Sequence, residues 1–528
     1  MTRGGTARTA LALALAAFLL YAVSGGGRVV GSDEVTMLAL ARALLHGGIA
    51  VPEGSTLVGP DGRCYTKNAA GQAVLALPLV ALSEAGAAVL RLDPERRGLA
   101  VRFGASFFGA LVTAVLLGVF YWGARALGAG AAPALAGAVL LGFATPVWVY
   151  AKSFMAEPLQ SLGLLLELLA AALMPAAAPR ARRRLGLLAA GGALLAISAK
   201  LTMLPLALAC LLPMIGVPAG AWVLPLAGIA LALAGHAAYN AARFGALLQT
   251  GYGAQASPAS LTTPALVGLY GLLLSSGKGV AWFAPALWLA PRGWWAATRR
   301  TTALRAAVPG RNRARWRELT PAGRAAWGAL AVWVLGLALY CKFQHWAGDG
   351  SFGPRYLVPL LPPGLLLVAF ALQRASRALR RGALVLGLLG AFVTLGGVGI
   401  YFGAQMREAG DYPYQLPLDD PRFMSGSHFN PRFSPIAGHW QMLARNLGEH
   451  LRGEMPKLTG TVAPDARLGL NAADQAALLH ALDVWWLYAR YAGVPALPVL
   501  AALGLLLVLA AFALAWLAAA WRAEARAG

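Results

Sequence analysis

Three carboxylates and a set of cations in this chain stand beside apolar segments. They are Asp33, Glu34 and Glu157, with Lys67, Lys200, Arg243, Lys278 and Arg355. Acids beside lysine and arginine suit proton acceptance next to a bound anion, and at membrane boundaries such a set is equipment for handling an anionic lipid. Each residue also has a plainer reading. Gly31-Ser32-Asp33-Glu34 opens a stretch, 35–45, with the apolar spacing of an interfacial amphipathic helix ending at Gly47-Gly48, where Ser32 or Asp33 serves equally as an N-cap. Cys64-Tyr65-Thr66-Lys67-Asn68-Ala69-Ala70-Gly71 puts Tyr65 and Lys67 just before the apolar run 73–91; Lys67 there either holds an anion at a helix start or snorkels. Glu157, in Lys152-Ser153-Phe154-Met155-Ala156-Glu157-Pro158, is a functional acid or one favoured by the helix dipole. Lys200 falls at a turn between two apolar segments, and Arg243 and Lys278 flank a membrane-lying stretch near 265–274. Gly277-Lys278-Gly279 allows close backbone approach but lacks the G-x-x-x-x-G-K-[ST] of a nucleotide loop. Lys342, His345, Asp349 and Arg355 crowd one loop ending at Tyr356, where Arg355 meets a lipid phosphate or anchors in an aromatic belt.

The elements that must position these residues are membrane helices. Of 528 residues, 59% are hydrophobic and 12% charged, and the mean hydropathy is +0.63, which excludes a water-soluble domain or a disordered chain. Thirteen apolar stretches recur, near 9–23, 73–91, 102–121, 133–150, 157–175, 185–199, 201–217, 221–239, 279–298, 325–341, 355–372, 383–402 and 495–520. Parity decides sidedness, and short basic loops decide parity. If 73–91 lies along the outer surface, the N-terminus, Arg125, Arg180 with Arg182–Arg184, 292–324, 374–381 and the C-terminus share one side. These segments hold 22 Lys/Arg against two acids, and the remainder holds 22 against 19. Twelve spans follow, with both termini cytoplasmic and every candidate site residue outside. The net charge of +23 is then cytoplasmic anchoring, not nucleic-acid binding. The first stretch has no clean A-x-A site after it and is read as an uncleaved helix. Three cysteines, Cys64, Cys210 and Cys341, give neither a disulfide framework nor metal spacing. The expected fold class is an all-α polytopic bundle of about 12 transmembrane helices with juxtamembrane helices on the outer face. Its parts are 1–402 as catalytic module with outer loop 24–101, an extracytoplasmic loop 403–494 read as a partly helical lid, and 495–528 as last helix and tail.

In the order of these blocks the chain resembles the GT-C superfamily of membrane glycosyltransferases, in its protein-mannosyltransferase and aminoarabinose-transferase-like branch. The resemblance rests on Asp33-Glu34, on Tyr65, Lys67 and Gly71, on Ser153 to Pro158, and on Tyr239-Asn240 with Arg243-Phe244-Gly245, Leu274 to Gly279 and Ser351 to Tyr356. It covers residues 1 to about 400. Ala70 departs from it, since related sequences often carry proline there. The resemblance implies transfer of a sugar from a polyprenyl-phosphate carrier to an acceptor hydroxyl on a lipid, glycan or protein, outside the inner (plasma) membrane. Asp33 would be the catalytic carboxylate in an inverting displacement, with Glu34 and Glu157 as supporting acids. Lys67, Lys200, Arg243, Lys278 and Arg355 would hold donor phosphate, and Tyr65, His345 and Tyr356 would line the substrate pocket. No cofactor is required, although outer acids with His345 or His428 could bind a divalent metal. Alternatives are a transporter or flippase of lipid-linked sugars, which needs a polar path that mid-span residues other than Glu167 do not offer, and a non-catalytic scaffold of envelope assembly.

Overall fold

The computed structural model describes residues 3–52, 56–299, 316, 318–417, 420, 422–459 and 471–527. Most of the basic stretch 292–324 and a part of the loop 403–494 lie outside the described residues. Among the described residues nine helices are long and apolar enough to cross a membrane, and three shorter apolar helices accompany them: Ala131–Phe143, Leu201–Met214 and Ala265–Leu274. Pro179–Ala199 is a further long helix. Its first turns carry Arg180 and Arg182–Arg184, and its apolar remainder packs along Glu157–Leu173 and Val223–Phe244. The one sheet among the described residues is an antiparallel pair, Thr56–Val58 with Cys64–Thr66. The chain is an all-α polytopic membrane protein. The stretch expected as one span at 279–298 is broken into Val280–Phe283, Pro285–Leu289 and Ala290–Arg299, since Pro285 has no N–H with which to continue a helix.

Two ends can be told apart by their charges. Arg3–Ser24 and Ala496–Ala527 pack together, and at one end Glu524 accepts from Thr6 (2.7 Å), Tyr121 (2.8 Å) and Arg125 (2.7 Å). The same end receives the start of Pro179–Ala199, with its arginines, and Arg377, which opens Arg377–Gly399. At the opposite end, about 30 Å away for helices of this length, the indoles of Trp485 and Trp486 donate to the carbonyls of Ala22 and Val23, and Asp483 N–H donates to Gly399. Asp33, Glu157 and Lys200 stand at this second end. Of the segments grouped by their basic charge in the sequence, the described N-terminus, Arg125, Arg180 with Arg182–Arg184, Arg377 and the C-terminal helix therefore also share one end in space.

Gly71–Val89 is long enough to span, but its neighbours place it at the second end. It packs on Ser32–Leu45 and on Pro94–Ala105, and Glu84 pairs with Arg42 (2.9 Å) and Arg97 (2.8 Å) on those helices. Pro94–Ala105 runs on into Phe107–Ala126, which reaches Arg125 at the basic end, so its own charged turns stand beyond the spans. Gly71 starts the helix against the turn that carries Lys200. A Cβ there would lie 2.5 Å from both the carbonyl and hydroxyl oxygens of Ser198. Ala70 has φ −78°, a value proline also adopts, so its backbone follows a path open to the residue it replaces.

Gly71→Ala is expected to lose stability although alanine favours the helix by up to about 1 kcal/mol. Overpacking of this kind costs about 1–3 kcal/mol. The thermal midpoint of detergent-solubilised protein measures it, and a midpoint at or above wild type would mean that the two helix ends are not in contact.

Candidate active site

Three helix starts converge at the second end. Ser32–Leu45 begins after Gly31, whose N–H donates to Glu34 Oε2 (2.8 Å), so the cap is supplied by Glu34 reaching back one turn. Glu34 Oε1 accepts from the N–H of Phe154, and Gln72 donates to the Phe154 carbonyl, which fixes the segment leading to Glu157. Glu157–Leu173 starts there with Pro158 in its first turn. Arg355 opens the third, Arg355–Leu360.

Capping by Glu34 leaves the Asp33 side chain free to face the other way. Arg355 joins it to Glu157: Nη2 donates to Asp33 Oδ2 at 3.1 Å and Nε to Glu157 Oε1 at 2.6 Å. Glu157 is 2% exposed, and its Oε2 has no hydrogen-bond partner among the described residues. Two lysines flank this bridge. Lys67 Nζ lies 4.0 Å from Asp33 Oδ1 and 5.6 Å from the centre of the Tyr252 ring. Lys200, which ends its helix in extended conformation, sets Nζ 4.6 Å from the ring of Tyr356, itself stacked on Tyr340 at 4.8 Å. Asp33 is pulled two ways: burial pushes its carboxyl up, and Arg355, Lys67 and Lys200 outweigh it, holding the group below the usual carboxylate range. Burial, with Arg355 nearby, brings Lys200 down to about 8, against the opposing pull of Glu157, Asp33 and Asp349.

The residues singled out in the sequence divide accordingly. Asp33, Glu157, Arg355, Lys67, Lys200 and Tyr356 come together. Glu34 does not face them as an acid: both of its oxygens are spent on backbone N–H groups, and burial pushes its carboxyl up in spite of those bonds. Tyr65 is buried with its hydroxyl on Asp61 (2.5 Å). Arg243 is 3% exposed, donates to the carbonyls of Thr66 and Tyr239 and to Asn240, and stacks on Tyr239 and Phe244. It clamps the strand before Lys67, with three of its five N–H groups taken by Thr66, Tyr239 and Asn240. Lys278 is 2% exposed, and its ammonium donates to the carbonyls of Asp349 (3.0 Å) and Ser351 (2.7 Å) and to Ser351 Oγ (3.1 Å). An ammonium has three N–H groups, so none remains for a ligand. His345 lies 3.4 Å from Asp349 Oδ1 and beside Gln255 and Gln344, whereas His428 is buried against Trp346. Among the described residues no three His, Cys, Asp or Glu side chains gather as metal ligands.

The sequence reading passed over Asn68 and Tyr252. Asn68 donates to the Asp33 carbonyl (3.3 Å) and to Thr36 (3.0 Å), and accepts from the Tyr252 hydroxyl (3.1 Å). Asn68 adjoins Lys67 and could have been suspected. Tyr252 lies in a polar connection with no motif around it.

Chemically, the arrangement offers an ionised carboxylate, a buried acid with one oxygen unpaired among the described residues, and two lysines whose ammonium groups find no hydrogen-bond acceptor among the described residues. No family model matches the chain, and no curated protein matches it. Two solved structures are similar in fold: ArnT from Cupriavidus metallidurans in the apo state (17% identity, TM-score 0.47) and the same protein bound to undecaprenyl phosphate (15% identity, TM-score 0.45). Each match covers 89% of this chain and 76% of the other.

The bridge predicts a pH signature. Asp33, with its value depressed in the fold, contributes stability above its unfolded value of about 3.9 and loses it as pH falls through the lower folded value. Arg355→Met removes that contribution. The gap in thermal midpoint between wild type and variant is therefore expected to be widest at neutral pH and to narrow below about pH 4; a gap constant from pH 3 to 7 would show that Asp33 is not held by Arg355.

Proposed function

We propose that this chain is a GT-C glycosyltransferase that moves a sugar from a polyprenyl-phosphate carrier to an acceptor hydroxyl on the extracytoplasmic face. The observation that carries the reading is the guanidinium of Arg355 shared by Asp33 and Glu157, with Lys67 and Lys200 alongside at the end of the bundle remote from the basic segments. The sequence blocks that resemble the GT-C superfamily support it, since Asp33, Lys67, Glu157 and Arg355 all belong to those blocks. The positive-inside rule, applied to the arginine-rich end, supports a site on the outer face.

In this reading the acceptor oxygen attacks the anomeric carbon and the bond from that carbon to the phosphate oxygen breaks, the electron pair leaving with the lipid phosphate. Lys67 and Lys200 neutralise the charge that gathers on the departing phosphate. Arg355 keeps the two carboxylates in register and, anchored on Glu157, turns its remaining N–H groups to the phosphate. Asp33 receives the acceptor proton and its charge steadies the oxocarbenium-like centre, so that a single displacement inverts the configuration. Glu157 Oε2, buried and unpaired, accepts from a hydroxyl of the sugar or acceptor. Lys278, Arg243, Glu34 and Tyr65 act by holding backbone in place.

Purified protein supplied with polyprenyl-phosphate sugar and an acceptor extract is expected to release lipid phosphate. Asp33→Asn lowers kcat by roughly 100-fold or more, the range for loss of a positioned base, and lowers the thermal midpoint because Arg355 loses a charged partner, while the protein stays folded at the assay temperature. Lys67→Ala raises the donor KM roughly tenfold, about 1.4 kcal/mol of binding. Near-normal turnover in Asp33→Asn, or an unchanged donor KM in Lys67→Ala, would remove that residue from its role.

A further inference from the structure

The segment that carries Arg355 is an irregular loop with an unusual backbone. Gly348 (φ +72°), Asp349 (+53°) and Gly353 (+62°) all lie in the left-handed region, and Asp349 is one of three non-glycine residues of positive φ among those described. Such a conformation is strained for a non-glycine residue and persists only where surroundings fix it. No helix or sheet ladder runs through this loop to take up the carbonyls of Asp349 and Ser351. Lys278 does so instead, reaching in from a separate turn, 275–279, that is itself tied down: Gly277 N–H donates to His428 O (3.0 Å), and Ser434 Oγ donates to Ser276 O (2.7 Å). Ser351 Oγ relays the hold, accepting from Lys278 and donating to Gly348 O (3.0 Å). Gly348 in turn packs on the Arg355 stem, since a Cβ at Gly348 would lie 2.9 Å from Arg355 Cβ.

We infer that Lys278 is a positioning residue for Arg355: its charged ammonium sets the path of the 348–353 loop and thereby fixes where the guanidinium meets Asp33 and Glu157. This rests on the reaction proposed above for its kinetic consequences, but the mechanical link does not. A neutral residue could fill the same space. What the ammonium adds is three donors at one point, converging on two carbonyls and a hydroxyl of one loop. The charged groups facing it are Asp349 on the loop, Arg355 at its end, Asp411 from the later segment and the buried His428. Burial, with Arg355, outweighs the two acids and brings Lys278 down to about 7. The protonated form makes all three contacts, so the hold weakens as pH rises through that value.

The test compares wild type, Lys278→Arg and the milder Ser351→Ala. In wild type kcat is expected to fall on the alkaline side of about pH 7 and donor KM to rise less steeply, because Lys67 and Lys200 keep their donor contacts when Arg355 shifts. Lys278→Arg stays charged and moves that limb up by about one unit, to where Lys200 titrates. Ser351→Ala removes one acceptor from the ammonium, shifts the limb to lower pH and lowers kcat several-fold, in line with the roughly 100-fold cost of a 1 Å misplacement. A role in stability alone would leave the limb in place, so an unmoved limb in folded Ser351→Ala and Lys278→Arg overturns the inference. Hydrogen–deuterium exchange of 345–356, corrected for intrinsic rates, decides the link without any activity. Protection that drops above pH 7 in wild type and is already low in Ser351→Ala supports it, and protection independent of pH and of Ser351 overturns it. Should wild type transfer no sugar from any polyprenyl phosphate, the proposed reaction fails while the exchange measurement still decides Lys278.

Discussion

One guanidinium shared between two carboxylates from different helices is the interaction on which the rest of the site depends. Arg355, Asp33 and Glu157 are largely buried, and taking such charges out of water costs several kcal/mol per ion unless partners and geometry are well set. Arginine suits the task because its rigid planar fork aims N–H groups on different nitrogens at the two acceptors in a fixed geometry, whereas the ammonium of lysine offers its donors from one rotatable point. Both carboxylates also lie in the first turn of a helix, where exposed N–H groups and the helix dipole favour negative charge. The bridge therefore draws on three helix starts, and each start has its own fastening: Glu34 and Gln72 around Phe154, Asn68 under the Asp33 carbonyl, and Lys278 behind the Arg355 loop. Among these fastenings, Glu34 and Lys278 are the residues that the sequence offered as a supporting acid and as a phosphate ligand.

The late segment belongs to the same construction. Asp483 binds Arg28 (2.6 Å) and Lys152 (3.2 Å), two cations that lie just before Asp33 and just before Glu157 in the chain. Arg28 is held between the rings of Tyr401 and Tyr488, and Lys152 also donates to the carbonyls of Val398 and Asp483. A single aspartate from beyond the spans thus ties together the two connections that bring the acids to the bridge. Truncating one partner of such a buried cluster leaves charge unpaired, which costs more than the cluster itself stabilises. Of the helices in this segment, Pro435–Leu451 packs on Arg377–Gly399 and Phe402–Glu408 packs on Pro435–Leu451.

What could be read in advance follows from the range of the physics involved. Helices, their number to within a few, and the segregation of arginine to one end are written in local hydropathy and charge, and a stretch such as Pro179–Ala199 shows both in one helix. Charge also placed Asp33, Lys67, Glu157, Lys200 and Arg355 at one end, because parity and short basic loops suffice for that. Which way each side chain points is set by contacts distant in sequence. Glu34 and Asp33 are neighbours of the same type, and only the meeting of Gly31 and Phe154 with Glu34 decides that one caps and the other faces the lysines. Lys278 lies between glycines, which suggested a phosphate cradle, yet the acceptors of its ammonium come from residues 71 and 73 positions away. Asp483 and Tyr252 had no signal at all, since their partners, Arg28 and Lys152 for one and Asn68 for the other, lie far away in sequence.

The electrostatics constrain what the proposed reaction can ask of its base. A carboxylate drawn below its usual range by Arg355, Lys67 and Lys200 is a weak proton acceptor, so it cannot pull a proton from a free hydroxyl ahead of bond formation. It can accept one late, once the acceptor oxygen has begun to bond to the anomeric carbon and has become strongly acidic. That timing requires the bond to the leaving phosphate to be well stretched by then, which is what cations placed for the phosphate favour. The same three cations thus weaken the base and ease departure of the leaving group, and the two effects agree only for a displacement in which bond breaking leads. An acceptor alcohol of lower intrinsic pKa should then gain little in rate, because its proton is not in flight when the barrier is crossed.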